Sequence, residues 1–234
     1  MELNDYQNIT EFQNPYVIRC GVIGDQGIGK STMSKVFSTG IFDPDMKSTI
    51  GIAFESKTLI LPDFNDHKVK VQVWDTAGQE KFRSVVAGYL RGLHIVFLVY
   101  DLTNMESWNN LDYWREEIFD KNPELKSQYN YNNTYKTVIV LVGTKSDLKG
   151  RVVSNRQINQ RKAEWNCKSY IISNRHTSAP STINRMFYLT VNDLHKSFVD
   201  AHINGEELPN GIYKDTKYKF LELVETKKSN CCYW

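Results

Sequence analysis

The 234 residues of this chain, 41 % of them hydrophobic, are enough to fill one good core. With 29 Lys and Arg against 27 Asp and Glu, the net charge of +2 is too weak a field to make nucleic acid the partner, so any ligand is held locally. The first sixteen residues carry no basic segment followed by an apolar run, and the apolar stretch at 95–100 is far too short to span a bilayer, so the expected compartment is the cytosol.

In chain order, residues 1–15 read as an N-terminal extension. YVIRCGVIG at 16–24 is a β-rich run ending in glycine, and the residues after Lys30 have helical composition, so GDQGIGKS sits between a strand and a helix. Residues 50–61 and 67–74 are predicted as two strands around a turn at PDFND. The stretches 93–100 and 137–143 are apolar enough for buried central strands, with a helix over 107–120 between them. A helix over 155–165, a strand over 168–173 and a helix over 183–201 complete the body. The alternation predicts an α/β doubly wound domain over 16–201 with one antiparallel hairpin. Two stretches fall outside the pattern: the Asn- and Tyr-rich 122–136, expected as an exposed insertion, and 202–234, expected as a flexible tail.

GDQGIGKS, residues 24–31, matches G-x-x-x-x-G-K-[ST] in the strand-to-helix context that its mechanism requires. Glycines allow the backbone to wrap a phosphate, and the helix N-terminus and loop N–H groups face its charge. Lys30 supplies a cation, and the Ser31 hydroxyl is a ligand type suited to Mg²⁺. WDTAGQE, residues 74–80, brings Asp75 to the end of a strand, where a water-mediated Mg²⁺ contact is reasonable. Gly78 then permits close approach to a γ-phosphate, and Gln79 is placed to orient an attacking water.

With these motifs the chain resembles a Rab within the Ras superfamily of small GTPases. The stretches that carry the resemblance are IGIAF (50–54), KVQVW (70–74), KFRSVV (81–86), YLRG (89–92) and LVYDLT (98–103), in that order. The resemblance implies the P-loop NTPase fold of small GTPases, a six-stranded mostly parallel sheet with one antiparallel hairpin, flanked by helices. It implies GTP/GDP and Mg²⁺ as ligands, with Asp25, Gln26, Gly27, Ile28, Gly29, Lys30, Ser31 and Thr32 around the phosphates. Thr49 would be the switch threonine that joins Ser31 and Asp75 at the metal when a γ-phosphate is present. Phe42 would lie near the guanine, and Gln79 would be the catalytic residue. Phe54, Trp74 and Tyr89 match the aromatic trio that Rabs present to effectors.

Base recognition departs from the family pattern. GTKSD (143–147) stands where N-K-x-D is usual, with Thr144 at the asparagine position. Asp147 keeps the two oxygens that accept from guanine, and Lys145 would lay its stem along the base. TSAP (177–180) is matched to the family's T-S-A-K. Ser178, Ala179 and Pro180 are thereby assigned to the base, with the Ala179 N–H offered to guanine O6 and Pro180 lacking a donor. Met46 replaces a tyrosine usual three residues before the switch threonine. These departures predict guanine selectivity with weaker nucleotide retention.

The chain ends in Cys231-Cys232-Tyr233-Trp234, resembling the Rab tails in which both thiols carry geranylgeranyl groups. Five Lys against five acidic residues beyond Ala201 provide no polybasic substitute for a second lipid. The reading is a monomeric switch that cycles between the cytosol and the cytosolic face of an intracellular membrane. Its partners would be effectors, an exchange factor, a GTPase-activating protein, a GDP-dissociation inhibitor and the prenylation machinery. The alternative is a GTP-binding scaffold with negligible hydrolysis.

Overall fold

The computed structural model describes residues 16–49, 51–64, 66–76, 92–121 and 137–203. Six strands form one sheet: β1 (Tyr16–Ile23), β2 (Ile52–Leu61), β3 (His67–Thr76), β4 (Ile95–Asp101), β5 (Val138–Thr144) and β6 (Lys168–Ile171). Their order is β2-β3-β1-β4-β5-β6, with β2 and β3 antiparallel and every other pair parallel. The four described helices are α1 (Lys30–Thr39), α2 (Met105–Lys121), α3 (Asn155–Glu164) and α4 (Ala179–Ile203).

The continuous apolar run IVFLVYD becomes β4, buried along its whole length because helices cover both faces of the sheet there. β2, at the sheet edge, instead alternates between exposed and covered residues. Each sheet face carries its own core. One packs α1 and α4 through Phe37, Met186 and Phe187, the other packs α2 and α3 through Trp108, Leu111, Ile118 and Ile158. Phe37 and Phe187 stack with centroids 3.8 Å apart, which fixes α1 against α4.

Helix ends follow local chemistry. At α3 the Ser154 side chain accepts from the Gln157 N–H while Gln157 reaches back to the Ser154 N–H, a reciprocal cap. α1 stops at Gly40, whose φ of 75° suits glycine and whose N–H returns to the Val36 carbonyl. The hairpin turn contains a short 3-10 helix at Pro62–Phe64. β3 runs to Thr76, two residues beyond the expected end, and α4 begins at Ala179 rather than Ile183 and reaches Ile203. Because β1 has β3 on one side and β4 on the other, the chain turns in opposite directions from it. The crevice at the strands' carboxyl ends lies there.

Candidate functional site

The loop after β1 is shaped by steric necessity. Gly24 has φ 145°, and a Cβ on it would lie 2.4 Å from the Val99 carbonyl oxygen, so a larger residue could not pass β4. Gly29 caps α1 with φ 94° and no side-chain hydrogen bond, which leaves the first-turn N–H groups for another acceptor. Lys30 is buried in this turn, and its Nζ donates to the Asp25 carbonyl at 2.5 Å. Burial lowers the Lys30 ammonium to about 8 despite the opposing charges of Asp75 and Asp25. A cation held this far out of water favours an anionic ligand. The loop opens on a cleft of about 210 Å³ whose lining includes Gly27, Gly29, Ser31, Thr32, Met46 and Thr49.

At one side of the cleft three oxygen side chains converge from α1, the segment before β2, and β3. Ser31 Oγ lies 2.5 Å from Thr49 Oγ1, which donates to Asp75 Oδ2 at 3.2 Å. Asp75 is buried and its Oδ1 has no hydrogen-bond partner among the described residues. Burial raises its carboxyl above the ordinary value, opposed by the Ser31 hydroxyl, the Lys30 charge and the Thr49 hydroxyl. Two hydroxyls and a carboxylate with one unmet oxygen are the hard donor set that suits Mg²⁺, and they fit it without rearranging the fold.

The other end is built by β5 and β6. Thr144 is fully buried, its Oγ1 2.6 Å from the Ile28 carbonyl and 3.0 Å from that of Tyr100. Lys145 takes a left-handed φ of 58°, and its Nζ pairs with Asp101 Oδ2 at 2.7 Å. Burial would raise the Asp101 carboxyl, but the hydrogen bonds from Lys145 and Thr103 outweigh it and hold the group below its ordinary value. Asp147 stands exposed in the following turn, and the Ser146 N–H joins that turn to the Ile172 carbonyl after β6.

A model of the Ras family matches residues 19–196. The chain is a Rab-type member of the Ras family of small GTPases. It is similar to the Ras-related protein RAB1BV of Beta vulgaris, 32 % identical over 219 residues and 93 % of each chain. RABE1d of Arabidopsis thaliana is 34 % identical over 220 residues, again 93 % of each chain. Rab-30 of Homo sapiens is 37 % identical over 164 residues, 70 % of this chain and 68 % of that one.

Against this small-GTPase frame, one expectation needs correction. The Ala179 N–H, expected to be offered to the base, is already engaged: it donates to the His176 carbonyl at 2.8 Å, and Ala179 is 2 % exposed as the first residue of α4. Pro180 stands in that first turn, where an N–H has no helical partner to lose. The loop that follows β6 and closes on the phosphate loop contains Asn174, whose Nδ2 donates to the Gly29 carbonyl at 2.9 Å. Asp25, expected around the phosphates, faces two ways. Its carboxylate turns to α2, accepting from Trp114 Nε1 at 2.7 Å and Asn110 Nδ2 at 2.8 Å, and its carbonyl accepts from Lys30 in the loop.

Gln26 is exposed at the cleft's rim, and Phe42 is partly buried against the α1–α4 core. Phe54, 48 % exposed, and Trp74 face each other across the hairpin with ring centroids 5.0 Å apart. Gly78, Gln79, Tyr89, Cys231 and Cys232 lie outside the described residues, as do the extension 1–15, the insertion 122–136 and the tail beyond 203.

Proposed function

We propose that this GTPase is a membrane-recruited switch that binds GTP and Mg²⁺, hydrolyses GTP slowly on its own, and engages trafficking effectors in the GTP state. The observation that carries the reading is the convergence of Ser31, Thr49 and Asp75 beside the buried Lys30. Ser31, Thr49 and Asp75 would hold Mg²⁺, which when bound spreads the negative charge of the β- and γ-phosphates.

The chain's own residues do the rest. Lys30 and the N–H groups of the loop and first turn of α1 hold the phosphates, and Asp147 with Lys145 holds the guanine. Gln79 orients the water that attacks the γ-phosphorus, and Gly78 approaches the γ-phosphate through its backbone. Thr49 precedes β2 by a short link, so its engagement orders the approach to the strand that carries Phe54. Loss of the γ-phosphate releases that order, and effectors that read Phe54, Trp74 and Tyr89 lose their surface. An exchange factor, a GTPase-activating protein and a GDP-dissociation inhibitor are the matching regulators, and geranylgeranyl groups on Cys231 and Cys232 are the anchor. Among the described residues no helix is long and apolar enough to cross a membrane.

The test has two steps. Denaturing freshly purified protein should release near-stoichiometric guanine nucleotide. Single-turnover GTP cleavage should then be slow, accelerated by an activating protein, and abolished in both conditions by Gln79→Leu. Unchanged turnover in that variant would refute the catalytic assignment, and a site that neither carries nor loads guanine nucleotide would refute the switch.

A further inference from the structure

The turn after β6 is organised by Ser173, whose Oγ accepts from the N–H groups of Arg175 and His176, both at 3.2 Å. It carries Asn174 inward, 8 % exposed, with Nδ2 bonded to the Gly29 carbonyl. The approach is close, since a Cβ on Gly29 would lie 2.8 Å from that nitrogen.

Folding alone gives little reason for an amide here. The Gly29 carbonyl already accepts the Met33 N–H at 3.0 Å, and Asn174 Oδ1 is buried with no hydrogen-bond partner among the described residues. A buried amide with an unmet oxygen works against folding, so the contact it makes must serve the loop. One residue earlier, the Thr144 hydroxyl makes the matching contact to the Ile28 carbonyl. In a trans peptide the C=O and the following N–H point in opposite directions. Holding the Ile28 and Gly29 carbonyls from the β5 and β6 side therefore turns the Gly29 and Lys30 N–H groups away from it, toward the cleft that those two residues line.

We propose that Asn174 is a positioning residue for the phosphate loop, supplying from the turn after β6 the amide that this chain lacks at Thr144. The inference rests on the nucleotide-binding reading above. The pair acts through the loop's peptide planes, so its contribution to retention is the same for any purine nucleotide the site accepts.

The experiment uses the full chain loaded with GDP or with IDP, whose base lacks the exocyclic amine, and follows release against excess unlabelled nucleotide. Asn174→Ala and Asn174→Ser, both too short to reach Gly29, are expected to speed release of GDP and IDP by the same factor, up to about tenfold. The melting temperature of the nucleotide-stripped protein should not fall in either variant. Adding Thr144→Asn to Asn174→Ala should restore slow release, because the longer side chain reaches the two carbonyls from β5. Unchanged release would overturn the proposal, as would acceleration confined to GDP, or an equal loss of melting temperature in stripped and loaded protein. Failure of the wild-type chain to load GDP would instead sink the nucleotide reading, and this inference with it.

Discussion

Moving the protein from pH 7.5 to pH 5.0 should cost about 3–4 kcal/mol of folding stability through two imidazoles held neutral. His195 on α4 is fully buried against Phe64 and His67, with ring centroids at 4.2 and 5.2 Å. Burial and the neighbouring His67 lower it to about 3. His94, at the entry to β4, accepts the Arg19 backbone N–H on Nδ1 at 3.0 Å, a bond that the protonated ring cannot make. Burial and the Arg19 charge lower it to about 4. An unfolded histidine takes its proton near pH 6.5, while the fold refuses it until about 4 and about 3. Stability is therefore whole above pH 6.5 and lost as pH falls through that window. At pH 5.0, roughly 1.5 pH units below the unfolded value, the linkage costs about 2 kcal/mol at His195 and somewhat less at the partly exposed His94. Urea unfolding at both pH values measures the difference. His195→Leu combined with His94→Asn, whose amide oxygen can replace the Nδ1 acceptor, should flatten the profile. If the double variant loses stability as steeply as wild type, carboxylates elsewhere govern the acid limb and the reasoning fails.

Lys30, lowered to about 8, is half-deprotonated near pH 8 before a nucleotide arrives, so phosphate binding should draw in about 0.5 proton at that pH and about 0.1 at pH 7. Calorimetry in buffers of differing ionisation enthalpy counts the protons, and zero uptake at pH 8 would reject the shift. Trp114→Phe strands one oxygen of the Asp25 carboxylate and should cost about 1.5–3 kcal/mol in denaturant unfolding. The same substitution should quicken nucleotide release, because the Asp25 carbonyl holds Lys30; stability and release both at wild-type levels would show that α2 does not brace the loop.

The strand-to-helix phosphate loop and the succession of strands and helices along the chain were readable because their signals are local: a glycine pattern, a run such as IVFLVYD, an alternation such as that of β2. What stayed hidden depends on contacts between distant segments. Asp25 meets Trp114 across 89 positions, and Asn174 meets Gly29 across 145, and no periodicity encodes either. The misplacement at Ser178–Pro180 is different, since a local signal was present. Ser-Ala-Pro ahead of an apolar-periodic run is the start of a helix, and that chemistry outweighs a three-letter match to T-S-A-K. The helix consequently begins four residues before the expected Ile183, and the turn that reaches the phosphate loop lies at Ser173–His176.

On β2, Lys57 Nζ donates to the Phe37 carbonyl at 2.9 Å and to Asn184 Oδ1 at 2.8 Å, fastening the middle of an edge strand to the end of α1 and to α4. Upstream of that fastening, the tie from β2 to α1 is the partly exposed Lys35–Glu55 pair, which contributes little. The strand is thus clamped to the helices at its centre, while its 52–56 half is held by the ladder to β3. A displacement fed in at Thr49 crosses about five strand residues, 52–56, roughly 17 Å, before it reaches the clamp at Lys57. Phe54 rides on the half ahead of the clamp, paired there with Trp74 of β3, while Leu59 and Leu61 lie beyond the clamp in the core. Amide exchange along β2 should accordingly change with nucleotide state over 52–56 and stay constant over 58–61, confining the moving surface to the half that carries the exposed aromatic ring.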